Sequence, residues 1–186
     1  MSEFGSKPKA LNTKHLDECI FGIAKGDLSF MNELYELTHV NIYSYALSLL
    51  KNRHDAEDVT HDCYITVYNS AYLYESKGKP LAWMITIVRN LAMARIKERN
   101  RLDEKDISEY QFTHEETVSA IDRITLDSLM NHLNDEEREV VVLHSSGFRH
   151  REIAQMTGLS LSGVLSKYNR AMKKLKERYE KGMKNE

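Results

Sequence analysis

Apolar residues recur at three- and four-residue intervals along most of this chain, and no stretch alternates in the two-residue rhythm of a strand. That spacing lines them up on one face of a helix. Leu16, Ile20, Ile23 and Ala24 form a first series, and Phe30, Leu34, Leu37, Ile42, Tyr45, Ala46 and Leu49 a second. Gly26-Asp27 separates them, and Asp27 or Ser29 can cap the second helix. A third series, Val59, Cys63, Val67 and Ala71, repeats every fourth residue, with Tyr64, Tyr68 and Tyr72 beside it. Asp55, Glu57 and Asp58 near its start suit the positive end of a helix dipole, so this helix is expected from about Asp55. Pro80 fits the first turn of a fourth helix, which runs to about Arg99 with Leu81, Ile85, Val88, Ala92 and Ile96 on one face. With only two prolines in 186 residues, the expected fold class is all-α.

Charge divides the chain further. The formal net charge is -2, but its distribution is uneven. Residues 89–101 carry five cations and one acid, 103–127 eight acids and two cations, and 145–184 ten cations and three acids. The acidic stretch is poor in aliphatic residues and reads as a linker, longer than ordinary connections within a domain. Two small helical domains, 9–102 and 121–186, joined by an acidic linker at 103–120, are therefore expected. The opening MSEFGS resembles a cloning remnant and is set aside up to about Pro8.

Within the second domain, Asn134 and Glu137 are placed as a capping box, and Gly147 ends the helix through Val142 and Leu143. A short helix over 149–156, with Ile153 and Ala154 inward, meets the turn TGLS. Gly158 can take a positive φ there, and Ser160 can cap the next helix. Val164 and Leu175 face inward, with Tyr168 and Ala171 at the border. Ser162, Leu165, Ser166, Asn169 and Arg170 are left near the exposed front, the part that a helix-turn-helix lays in the major groove. Lys173, Lys174 and Lys176 lie further along, where phosphates would run. A solvated amphipathic helix pair would carry the same local pattern.

Two segments of the first domain narrow this choice. DAEDVTHDCYITVYNSA and KPLAWMITIVRNLAMARIKERNR resemble region 2 of bacterial RNA polymerase sigma factors of the extracytoplasmic-function branch. LNDEEREVVVLHSSGFRHREIAQMTGLSLSGVLSKYNRAMKKLK resembles their region 4, in the order that this minimal branch shows. The resemblance covers most of 28–179 apart from the linker. It implies a cytoplasmic, promoter-specific subunit of RNA polymerase with no catalysis of its own. The implied partners are promoter DNA and core polymerase, through its largest and second-largest subunits. An anti-sigma factor is a further partner that the resemblance admits.

Residue by residue, the resemblance implies core-polymerase contacts at Asp58, His61 and Asp62, where His61 replaces the family's usual Gln. Recognition of a melted minus-10 element falls to Arg89 and Asn90, which match the family's R-N pair, and to Arg95, Lys97 and Arg99 along the strand backbone. Ala94 stands where the family has Asp. Trp83 fits either a stacking platform or the core, and Tyr72 and Tyr74 are weaker platforms. Duplex minus-35 contacts fall to Arg149, Ser162, Leu165, Ser166, Lys167, Asn169, Arg170, Lys173 and Lys174. Leu165 departs from the family's cation and offers an apolar contact to a thymine methyl; Asn169 and Arg170 suit adenine and guanine. For the linker, passage through basic channels of the polymerase stands beside a plain solvated tether.

Other classes fit less well. A two-domain regulator that recruits polymerase without replacing its sigma factor would share the helix-turn-helix, but not DAEDVTHD or AWMITIVRN. His39, His54, His61, His144 and His150 form no pair in a metal-ligand motif. Cys19 and Cys63 are too far apart to read as a disulfide or zinc site, and fit two reduced, partly buried thiols. No metal, cofactor or catalytic residue is expected, and no segment is apolar enough to insert into a membrane.

Overall fold

In the computed structural model of the protein, residues 12–103 and 130–182 are described, and no strand occurs among them. The acidic linker expected at 103–120 lies outside these residues apart from Asp103. The chain divides into two compact units, Met1–Ile96 and Lys97–Glu186.

The first unit is built from α1 (Thr13–Ala24), α2 (Ser29–Leu50), α3 (Arg53–Ser70), a 3-10 turn (Ala71–Leu73) and α4, which starts at Pro80 and extends past the unit to Asp103. Each helix turns most of its apolar series inward, but Ala24, at the last turn of α1, and Leu37, on the outer side of α2, are exposed. Leu16, Cys19, Ile20 and Ile23 of α1, Leu34, Ile42, Tyr45, Ala46 and Leu50 of α2, Val59, Cys63 and Val67 of α3, and Met84, Ile85, Val88 and Ala92 of α4 are all buried. Helix α3 begins two residues before the expected Asp55, because Asn52 caps it by accepting the Asp55 amide at 2.9 Å. Asp27 accepts both the amide and the hydroxyl of Ser29, at 3.0 and 2.6 Å, and so anchors the start of α2. Gly22 of α1 faces the Phe30 ring of α2 with no room for a side chain between them. A Cβ there would lie 2.1 Å from the ring of Phe30.

Polar groups inside this core are paired. The Thr38 hydroxyl donates to the Leu34 carbonyl at 2.6 Å and shares a 2.8 Å bond with the Tyr64 hydroxyl. Burial pushes the Tyr64 phenol well above its ordinary range. Tyr74 is buried, donates to Asp17, and packs its ring 4.9 Å from Trp83 and 5.7 Å from Phe21.

In the second unit, α5 (Asp135–Ser145), α6 (His150–Thr157) and α7 (Leu161–Gly182) enclose Leu133, Val140, Leu143, Ile153, Val164 and Ala171. The capping box of Asn134 and Glu137 is formed, with bonds of 2.8 and 3.1 Å. Arg138 is buried and donates to the carbonyls of Met130 and Leu133, tying the preceding chain to α5. Gly158 takes φ +76, and Ser160 caps α7 by accepting the Gly163 amide at 3.1 Å. Leu175, expected inside, is half-buried.

Candidate functional site

Helix α3 has two chemically distinct sides. The four-residue apolar series faces the core, which leaves Glu57, His61, Asp62, Ile65 and Tyr68 exposed together. Ile65 and Tyr68 were not singled out by residue type; their signal is that they fall outside the buried series. Asp62 and His61 are exposed as expected and have no side-chain partner among the described residues. Asp58 differs from that expectation. It is half-buried, accepts from Arg95 of α4 at 2.5 Å, and lies 3.4 Å from His54. One turn toward the α3 N-terminus, Asp55 accepts from the Arg95 Nε at 3.3 Å.

The same pairing changes the basic track on α4. Arg95 is bound to carboxylates of its own domain, because helical spacing turns it toward the acidic start of α3. Asn90, Lys97 and Arg99 are exposed, and so is Arg101, which continues the track past the last residue chosen from the sequence. Arg89 is half-buried and donates to the Tyr45 hydroxyl at 3.3 Å. Among the aromatic candidates, Trp83 is half-buried against Tyr74, so both belong to the packing of the domain. Tyr72 is 72% exposed.

The second unit has the helix–turn–helix geometry anticipated for α6 and α7. Along α7, Val164 and Ala171 mark the buried stripe. Ser162, Leu165, Ser166, Asn169 and Lys173 fall on the exposed side, with Leu165 40% exposed. Arg170 is also exposed and reaches back to the Ser166 hydroxyl at 3.3 Å. Lys173 lies 3.9 Å from Glu177 in an exposed pair. Arg149, exposed at the start of α6, has its backbone amide bound by Glu152 at 2.9 Å.

Lys167 and Lys174 depart from the expected DNA face. They stand three residues beyond Val164 and Ala171, so the helix turns them toward α5 rather than outward. Lys167 donates to Glu136 at 2.5 Å, and Lys174 to Glu137 at 2.7 Å. Long stems let both ammonium groups reach acids at the edge of the core. Burial works to raise the Glu137 carboxyl, but the bonds from Lys174 and the Asn134 amide, with Arg170 nearby, leave it below its ordinary value. At the other border, the Tyr168 ring packs 4.4 Å from His144 and 5.1 Å from His150. Burial, then the neighbouring His150, lowers the His144 imidazole below 6.5.

Comparison with known proteins agrees with this division. Residues 34–102 match Sigma-70 region 2, and residues 123–175 match Sigma-70, region 4. Together they span about two thirds of the chain. The chain is 23% identical over 175 residues to the ECF RNA polymerase sigma factor SigK of Mycobacterium sp. (strain KMS), covering 88% of this chain and 90% of that protein. It is 24% identical over 168 residues to the ECF RNA polymerase sigma factor SigX of Bacillus subtilis (strain 168), covering 79% and 82%. Its fold is similar to that of the sigma factor RpoE of Bartonella quintana, solved in complex with the anti-sigma factor NepR. The TM-score is 0.67 at 24% identity, over 82% of this chain and 98% of that one. No helix among the described residues is long and apolar enough to cross a membrane. Both regions place the chain among transcription initiation factors rather than enzymes. It belongs to the extracytoplasmic-function branch of bacterial RNA polymerase sigma factors, as an alternative sigma factor.

Proposed function

We propose that this protein binds core RNA polymerase in the cytoplasm and selects promoters by reading two elements. The minus-35 element is read as duplex through α7, and the minus-10 element as melted strand along α4. The observation that carries this reading is the exposed side of α7, where Ser162, Leu165, Ser166, Asn169 and Lys173 stand together opposite the buried stripe. Short polar groups, an apolar contact and a cation are what a recognition helix needs to meet base edges and phosphates. Arg170 and Arg149 flank that surface, whereas Lys167 and Lys174 support it from behind through α5.

Along α4, Asn90, Lys97, Arg99 and Arg101 offer a single strand one polar side chain and three cations. Arg89 adds a guanidinium that also braces Tyr45. Core polymerase docks on the exposed side of α3, where His61 and Asp62 sit between Glu57 and the apolar pair Ile65 and Tyr68. Asp58, held by Arg95, contributes at the edge of that surface. The linker at 103–120 is acidic enough to follow a basic channel of the polymerase. An anti-sigma factor is a further candidate partner, since the similar RpoE of Bartonella quintana was solved in complex with one.

Run-off transcription with core polymerase and a promoter library tests the reading. Transcripts that start downstream of one shared pair of elements are expected from core plus this protein alone. A requirement for a second sigma factor would instead make the chain a recruiting regulator. Arg170→Ala is expected to relax the minus-35 preference, and Asn90→Ala to slow open-complex formation with core binding unchanged.

A further inference from the structure

We propose that His15, Cys19 and Glu33 form a binding site for a divalent transition-metal ion of the borderline-soft class, of which zinc is the type. The first two stand four residues apart on one face of α1, and Glu33 reaches them from α2. Their ligand atoms all lie within 4.8 Å of one another. This grouping lies just outside residues 34–102, the segment matched to region 2, so it is a property of this chain's first two helices.

The donor set has the right chemistry. One imidazole, one thiolate and one carboxylate are the ligand types zinc takes in tetrahedral sites with an open fourth position. The thiolate and the carboxylate together balance the charge of a divalent ion. The spacing is also close to what binding requires. His15 Nε2 is 2.7 Å from Glu33 Oε1, and Cys19 Sγ is 3.9 Å from Glu33 Oε2. Tetrahedral ligands bound at about 2.0–2.3 Å lie roughly 3.3–3.8 Å apart. With all the ligand atoms within 4.8 Å of one another, side-chain adjustments on the order of 1 Å would admit the ion. His15 and Glu33 are half-exposed, giving a way in for the ion and room for a water as fourth ligand.

A fourth residue supports the arrangement. Glu18 lies 3.3 Å from His15 Nδ1, on the side of the ring away from Glu33. Metal-bound histidines commonly donate their second ring N–H to such a carboxylate, which fixes the tautomer and orients the ring. A free cysteine thiol carries its proton at neutral pH, and the thiolate is the metal ligand. When the ion binds, a metal–sulfur bond forms as the S–H bond breaks, and the proton passes to solvent. Any second proton on His15 leaves in the same way, so affinity rises with pH.

Cobalt(II) titrated into the full chain after chelator treatment reads the site directly. A thiolate-to-cobalt charge-transfer band is expected, retained in Cys63→Ala, lost in Cys19→Ala, and displaced by Zn2+. Glu18→Gln should weaken binding on the order of 10- to 100-fold. Zn2+ at about a hundredfold excess over Kd should raise the unfolding midpoint of the first domain by on the order of 10 °C. His15→Gln and Glu33→Gln, both at half-exposed positions, should abolish that rise while keeping the helical circular dichroism spectrum. Absence of the band, its persistence in Cys19→Ala, or an undiminished zinc-induced rise in His15→Gln would overturn the proposal. These readouts need neither polymerase nor promoter, so they stand apart from the transcription test.

Discussion

The guanidinium of Arg95 on α4 closes on the carboxylate of Asp58 on α3 at 2.5 Å, with Asp55 held at 3.3 Å by the same side chain. A cation expected to face DNA and an acid expected to face polymerase are thus each other's partners. Both are 41% exposed, so the pair contributes about 0.2–1 kcal/mol. A double-mutant cycle of Arg95→Met and Asp58→Asn, followed by urea unfolding, should return a coupling in that range. Asp62, which has no such partner among the described residues, should behave differently. Asp62→Lys is expected to lower core affinity roughly tenfold or more, with the urea midpoint unchanged, because a like charge now meets a basic surface. Equal loss of stability and affinity would reassign Asp62 to a folding role.

Gly22 of α1 lies directly against the Phe30 ring of α2. With a Cβ built there 2.1 Å from the Phe30 ring, Gly22→Ala forces the ring or the helix to move. A cost of about 1–3 kcal/mol is expected in thermal or urea unfolding of the first domain. Phe30→Leu in the same background should return part of it.

Glu137 links the capping box of α5 to Lys174 of α7. Only 1% of its side chain is exposed, against 44% for Lys174. Lys174→Met leaves a buried carboxylate without its cation, at an expected cost of about 1–2 kcal/mol, less than for a fully buried pair. The folded carboxyl titrates below its ordinary value of about 4.5. Its contribution is therefore fully present above that pH and is lost as pH falls through the lower folded value. Glu137→Gln should flatten the acid limb of a stability-versus-pH curve below about 4.5.

His144 gives the same sign at higher pH. Its folded imidazole titrates below 6.5, so the stability it contributes is present above that value and declines as pH drops through the window beneath it. Unfolding midpoints measured between about pH 7 and 5 should fall less for His144→Gln than for the parent.

Leu165 stands on the exposed side of α7, where the family has a cation. Leu165→Lys should steepen the salt dependence of minus-35 duplex binding by about one phosphate contact. Leu165→Ala should cost binding chiefly on sequences with a thymine at the contacted position, by about 1 kcal/mol or less. Binding isotherms at several salt concentrations separate the two effects, and an unchanged slope in Leu165→Lys would place this residue away from DNA.

Apolar spacing, together with local caps and turns, identified the seven α-helices among the described residues and most of their inward faces, because a helical period of 3.6 leaves one stripe to bury. Caps at Asn134, Glu137 and Ser160, and the turn at Gly158, were equally legible, since they depend on neighbours within four residues. The family, too, was legible, because its two motifs are local stretches of chain. Side-chain pairing between helices was not. Spacing placed Lys167 and Lys174 beside the buried stripe, but only the packing of α7 on α5 showed that Glu136 and Glu137 wait there. Arg95 looked like any other cation on α4 until α3 brought Asp55 and Asp58 beneath it. His15 and Cys19 formed no recognisable ligand pattern, since the carboxylate that completes the group arrives from a separate helix. The sequence by itself determined which face of each helix is buried, because that depends on periodicity along one segment. Which charges remain available to a partner was decided by tertiary structure, because a charge is spent wherever another helix places its opposite within about 4 Å.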